Sequence, residues 1–201
     1  MIIGITGSSG AGKSTICDIL KDEYKVKIIN ADKIAKKLSK KGTNYIIDII
    51  EKFGKDIVDE EGELRRKKLA EIIYTDSEKR KELNECTFKY IRKEIERQIK
   101  KEKNSNNNNT IIIDAPLLFE CDLDKICDKV IGIISKKELQ IERVVARDNI
   151  DYDQAEKRIN AQATNEFYKD KCDDIIENNN DVFKLERKIK EIANKFNIEK
   201  K

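Results

Sequence analysis

Apolar residues along this chain keep two rhythms. Short, nearly unbroken β-branched runs occur at Ile2-Ile3 with Ile5, at Val26–Ile29, at Thr110–Ile113, at Val130–Ile134 and at Ile175-Ile176. Such runs suit strands buried on both faces of a parallel sheet. Between them the apolar positions spread to helical spacing, as in Ile16, Ile19 and Leu20. The pattern predicts a helix after residue 13, helices over 33–54 broken at Gly42 and Gly54, and a turn at 59–62. A long helical stretch follows from Arg66 to about Lys103, interrupted near residues 75–77, where Asp76 or Ser77 caps a new helix. The asparagine-rich run at 104–109 reads as a solvated surface loop. Helices at 136–149, 152–163 and 182–196 complete the pattern. Strands alternating with helices give an α/β fold, a parallel sheet in a three-layer, doubly wound arrangement.

Composition narrows the class. The chain has 201 residues, 40% of them charged and 6% aromatic, so its core must rest on Ile, Leu and Val. A net charge of +3 gives no whole-chain argument for nucleic acid or a membrane surface. No apolar run reaches transmembrane length, and the apolar N-terminus lacks the basic leader of a signal peptide, so a cytoplasmic location is expected. There are five cysteines and no histidine. Without a C-x-x-C pair, a disulfide framework or a Cys/His zinc site is not expected, and the cysteines read as reduced, small apolar residues. The missing histidine also removes the commonest general base.

The chemistry begins where the first strand stops. Gly7, four residues, Gly12, Lys13 and Ser14 match G-x-x-x-x-G-K-[ST], between a strand and a helix. Backbone N–H groups over Gly10, Ala11, Gly12, Lys13, Ser14 and Thr15 can cradle the phosphates of a nucleotide such as ATP. Lys13 can reach the β- and γ-phosphates, and the Ser14 hydroxyl can ligate Mg²⁺. Ligands in such sheets bind beyond the carboxyl ends of the strands. That rule also selects Asp32, after the second strand, and Asp114, ending the third. Asp32 can accept a proton from an attacking hydroxyl or hold Mg²⁺ through water; as a helix N-cap it would do neither. Asp114 is either a Mg²⁺ group acting through water or a polar residue closing a buried strand. Arg143 and Arg147 share a helix face, and Arg158 and Gln162 repeat the spacing on the next helix. Inward arginines there would close over a triphosphate; outward ones would be ordinary solvated surface.

Taken together, these pieces resemble the dephospho-coenzyme A kinase family. The matching stretches are "GSSGAGKST", "ADKIA" with Asp32, "EGELRRKKL" with Arg66, "DAPLLFE" from Asp114 to Glu120, "QIERVVARD" with Arg143 and Arg147, "RINAQ" with Arg158 and Gln162, and "CDDIIENN" with Asp173 and Asn178. They follow the family's order and cover nearly the whole chain. The resemblance implies ATP-dependent phosphorylation of the ribose 3′-hydroxyl of dephospho-CoA, the last step of coenzyme A synthesis. It implies one P-loop kinase domain over residues 1–201, with a helical substrate-binding subregion at about 35–103 and a lid at about 138–165. Asp32, Lys13 and Arg147 become the catalytic candidates. Arg143 and Asn178 join the loop on ATP, Asp32, Arg66, Arg158 and Gln162 face the second substrate, and Ser14 and Asp114 serve Mg²⁺. ATP and dephospho-CoA are the partners implied, with no nucleic acid and no membrane.

The chain departs from the family pattern at three places. Asn30 stands for the first aspartate of D-A-D, Thr87-Phe88 for a His-Pro pair, and Asn180 for a glycine. Losing the proline removes a helix-breaking signal, and Asn is the residue that best replaces Gly at positive φ. A nucleoside or nucleoside-monophosphate kinase would share the loop and arginines without needing "DAPLLFE". A GTP switch would need N-K-x-D after a strand, and the nearest string, Asn194-Lys195-Phe196-Asn197, lacks the aspartate.

Overall fold

The computed structural model describes residues 1–40, 42–105, 109–179 and 181–201; the side chains of Arg66, Ala70, Tyr74 and Thr75 also lie outside the description. The readings made for Asn180, for the middle of the asparagine run and for the Arg66 side chain therefore fall outside the described residues. The chain divides into two compact units, Met1–Ile29 with Lys101–Lys201, and Asn30–Lys100.

The first unit is built on a sheet. Its strands are β1 (Ile2–Thr6), β2 (Val26–Asn30, whose last residue opens the second unit), β3 (Thr110–Asp114), β4 (Lys129–Ile134) and β5 (Asp174–Glu177), in the order β2-β3-β1-β4-β5. β1 pairs in parallel with β3 on one side and β4 on the other, with Ile5 opposite both Asp114 and Ile131. β4 pairs in parallel with β5. Chain order therefore reverses at β1, whose carboxyl end is the topological switch point where such sheets bind ligands. The unbroken β-branched runs are explained by burial on both faces: every residue of β1 and β3 is buried.

Helices cover the sheet on both sides. Ile3 and Ile5 share one core with Ile16 and Leu20 of α1 (Lys13–Glu23) and with Leu185, Ile189 and Ile192 of α9 (Val182–Lys195). Gly4 and Gly132 face the other way, where their small size admits Leu118 and Tyr168, as the period of two requires. Tyr168 lies on α8 (Asn165–Lys171), a short helix that the apolar pattern did not predict. α6 (Lys137–Asp148) and α7 (Tyr152–Asn160) form a hairpin with its own small core of Ile141, Val144, Ala155 and Ile159.

The second unit is helical: α2 (Ala31–Leu38), α3 (Asn44–Phe53), α4 (Arg66–Thr75) and α5 (Ser77–Lys103), whose last turn returns to the first unit. Tyr45, Ile46, Ile49, Ile57, Leu69 and Cys86 form its core. Asp76, not Ser77, caps α5, accepting from the Lys79 N–H at 3.0 Å. α5 runs through Thr87-Phe88 without a break, as expected once proline is gone. Thr87 uses its hydroxyl within the helix, on the Leu83 carbonyl at 2.7 Å, and sits 3.2 Å from the Tyr45 hydroxyl.

Candidate active site

Residues 7–12 join β1 to α1 at the switch point. Gly10 and Gly12 lie in the left-handed region, at φ 75° and 98°. A Cβ at Gly10 would strike the Gln140 backbone, and one at Gly12 would strike the Asn178 amide nitrogen. Gly12 is also the N-cap of α1 and supplies no side-chain cap. Helical geometry gives the N–H groups of Lys13, Ser14 and Thr15 no acceptor inside the helix, and the dipole adds positive potential there. Ser14 and Thr15 are exposed at this end. The Lys13 ammonium arches over the loop and donates to the Gly7 carbonyl at 2.6 Å. The loop thus leads into a helical turn whose N–H donors can meet an anion, while its own Ala11 N–H donates to the Ser8 carbonyl at 3.2 Å.

The loop is held by three side chains from distant parts of the chain. Gln162, just after α7, accepts from the Ser9 N–H at 2.7 Å and donates to the Ser9 hydroxyl at 3.1 Å. Arg143, on α6, donates to the Gly10 carbonyl at 2.9 Å. Asn178, after β5 and 9% exposed, donates to the Ala11 carbonyl at 3.0 Å. Arg143 also donates to the Asn178 carbonyl at 3.0 Å and to the Ser135 hydroxyl at 3.2 Å, and Ser135 in turn donates to the Asn178 carbonyl at 2.7 Å. Partial burial of the Arg143 guanidinium lowers its pKa. Bonds from a charged donor are the stronger kind, so this network fixes the backbone of Ser9, Gly10 and Ala11. Ser135 was not among the residues selected from the sequence; nothing in its surroundings there distinguishes it.

The remaining arginines meet elsewhere. Arg147 donates to the Asp148 carboxylate through Nε at 2.8 Å and Nη2 at 2.9 Å, and Arg158 donates to it at 2.6 Å. Arg147 and Arg158 remain 56% and 49% exposed. The shared face of Arg143 and Arg147 therefore divides: one guanidinium turns to the loop's backbone, the other to a carboxylate. The hydrogen bonds from Arg147 and its charge, followed by the charge of Arg158, hold the Asp148 carboxyl down at about 2.

Asp114 ends β3 at the level of Ile5 and is 7% exposed. It lies close enough to α1 that its charge adds to the effect of burial in raising the Cys17 thiol, while Lys13 opposes both. Asp114, Lys13 and the first turns of α1 therefore share one electrostatic neighbourhood. The five cysteines are free thiols.

Of the two readings of Asp32, the helix cap is the one that the structure overturns. α2 starts at Ala31 rather than residue 33, and its cap is Asn30, whose side chain accepts from the Lys33 N–H at 2.8 Å. Asp32 lies inside the first turn and is exposed. The family departure at Asn30 thus has a local use, because Asn is among the best N-caps, and the Asp32 carboxylate is not spent on the backbone.

Comparison with known proteins gives one family. The family model described as dephospho-CoA kinase matches residues 1–184. A dephospho-CoA kinase of Fusobacterium nucleatum is 40% identical over 189 residues, covering 94% of this chain and 95% of that protein. Among solved structures, TT1252 from Thermus thermophilus superposes with a TM-score of 0.80 at 25% identity, covering 97% of both chains. Dephospho-CoA kinase from Campylobacter jejuni superposes with a TM-score of 0.69 at 28% identity, covering 97% of this chain and 96% of that one.

Proposed function

The chain belongs to the dephospho-CoA kinase family, and from that premise we propose a division of labour among its residues. The reaction is transfer of the ATP γ-phosphoryl group to dephospho-CoA, giving CoA and ADP in coenzyme A biosynthesis. The observation that carries the assignment is the loop at residues 7–14, leading into the N-terminus of α1, with Ser9, Gly10 and Ala11 each held by a side chain from a distant part of the chain.

In this reading the loop takes the ATP phosphates and Lys13 exchanges its carbonyl partner for the β- and γ-phosphates. Arg143, Gln162 and Asn178 keep the loop in that shape. Arg147 and Arg158 face the charge that spreads over the transferred group. The hard oxygen donors Ser14 and Asp114 fit Mg²⁺ and are the residues that would hold it. Mg²⁺, when bound, neutralises charge on the phosphate oxygens. The Asn30–Lys100 unit takes the CoA moiety, Arg66 included, and α6 with α7 forms the lid. Asp32 accepts the proton of the ribose 3′-hydroxyl, a task that falls to a carboxylate in a chain without histidine. ATP and dephospho-CoA are small, soluble partners met in the cytoplasm; among the described residues no helix is long and apolar enough to cross a membrane.

The test is direct: purified protein with ATP–Mg²⁺ and dephospho-CoA, CoA quantified, and nucleosides and nucleoside monophosphates run beside it. CoA formation with little turnover of the others is expected, and the reverse would move the chain to the nucleotide kinases. Asp32→Asn separates the base from its alternatives. Since Asn30 holds the cap, the substitution should leave Tm unchanged and lower kcat roughly 10²–10⁴-fold. Turnover like wild type would remove Asp32 from the chemistry.

A further inference from the structure

Asp148 is the last residue of α6, where a carboxylate meets the negative end of the helix dipole. Helices favour bases there, and Arg147 obeys that preference while Asp148 breaks it. A broken local rule calls for a compensating contact, and two are present. Arg147 grips Asp148 with a fork, Nε to Oδ1 at 2.8 Å and Nη2 to Oδ2 at 2.9 Å. Arg158 reaches it from α7 at 2.6 Å. Neighbours i and i+1 do not normally face each other on a helix. They do so here at the helix end, beside Asn149, which turns the chain out at φ 52°. Both arginines keep about half their side-chain surface exposed, 56% and 49%, while Asp148 itself is 26% exposed. A guanidinium carries five N–H donors, so each still has donors to offer beyond the one carboxylate.

We propose that Asp148 is a positioning residue for phosphoryl transfer: it yokes the forked Arg147 and the singly bonded Arg158 into one cluster that meets the transferred phosphate. The proposal rests on the reading of α6 and α7 as the lid, and adds a residue that does not itself touch substrate. Long arginine side chains on separate helices lose conformational freedom when they converge on a phosphate. Convergence on Asp148 fixes much of that geometry beforehand, which favours the transition state rather than ground-state binding of ATP. The small core of Ile141, Val144, Ala155 and Ile159 holds the two helices together independently of the ion pairs. Losing Asp148 therefore loosens the arginines and leaves the hairpin folded.

The experiment compares Asp148→Asn and Asp148→Glu with wild type in CoA formation, and follows Arg147 Nε–H exchange by NMR. Asparagine keeps the size and loses the charge that holds two guanidinium groups; glutamate keeps the charge. The expected result for Asp148→Asn is a roughly tenfold lower kcat, KM for ATP and dephospho-CoA within about twofold, unchanged Tm and faster Nε–H exchange. Glutamate should restore most of kcat and slow the exchange again. Equal loss in both variants would mark a merely structural role. A kcat within about twofold of wild type in Asp148→Asn would overturn the proposal. So would a lower KM for ATP with kcat intact, since Asp148 would then be a competitor of phosphate. If wild type makes no CoA, the functional reading falls; the Nε–H exchange still decides whether Asp148 holds Arg147.

Discussion

Arg143 and Arg147 stand four residues apart on α6 and end in opposite surroundings. Arg143 is half-buried and donates to main-chain carbonyls at Gly10 and Asn178. Arg147 is exposed and grips a carboxylate on its own helix end. The first contact ties α6 to a loop 133 residues away; the second is local and open to solvent. A half-buried charge held by carbonyls is costly to remove, because its acceptors lose a charged donor. An exposed ion pair adds little to stability, so on the proposed reading the use of Arg147 is in the reaction. One helix therefore carries an arginine bound to a distant loop at its middle and, in the proposed reading, one that serves the reaction in its last turn.

The sharpest way to break this contrast is to spoil the loop itself. Gly12→Ala places a Cβ on the Asn178 amide at a φ of 98°. The loop must shift, Asn178 must leave Ala11, and Arg143 loses its arrangement of acceptors. The expected outcome is loss of more than about 10³-fold in kcat/KM together with a lower Tm, both at once. Lys13→Ala acts on the front of the loop only. It should lower kcat by roughly 10²–10³-fold with Tm nearly unchanged, measured by turnover and thermal melting. A large fall in Tm would mean that its bond to the Gly7 carbonyl, not the phosphates, is what Lys13 serves. Gln162→Ala sharpens the contrast on the smallest scale. It removes both hydrogen bonds to Ser9, at about 1 kcal/mol each. A drop in Tm of roughly 4–8 °C and a several-fold higher KM for ATP are expected. An unchanged KM would detach Gln162 from the loop's function.

How much of this could be read from the sequence follows from the range of each contact. The strands, the glycine loop and most helices are local patterns, and they stand where the apolar rhythm puts them. α8 escaped because seven residues, Asn165–Lys171, are too few for a helical period to register. The choice between cap and base for Asp32 stays open in sequence because Asn30 and Asp32 are both good capping side chains, and only the backbone decides that Asn30 is the cap. The arginines were found by spacing, but spacing cannot say which faces a loop. The main partners of Arg143 are backbone carbonyls, which have no signature in sequence, and Asp148 reads as one more surface acid in a chain that is 40% charged.

The measurement that bears most directly on the account sets Arg143→Ala beside Arg147→Ala, each followed by thermal melting and by kcat for CoA formation. Arg143→Ala should lose about 2 kcal/mol or more of stability, a fall in Tm of at least about 4 °C, with activity falling as the loop loosens. Arg147→Ala should melt within about 1 °C of wild type and lose roughly 10²-fold in kcat. The reverse pattern, a stable Arg143→Ala protein and a destabilised but active Arg147→Ala protein, would contradict the division on which the account rests.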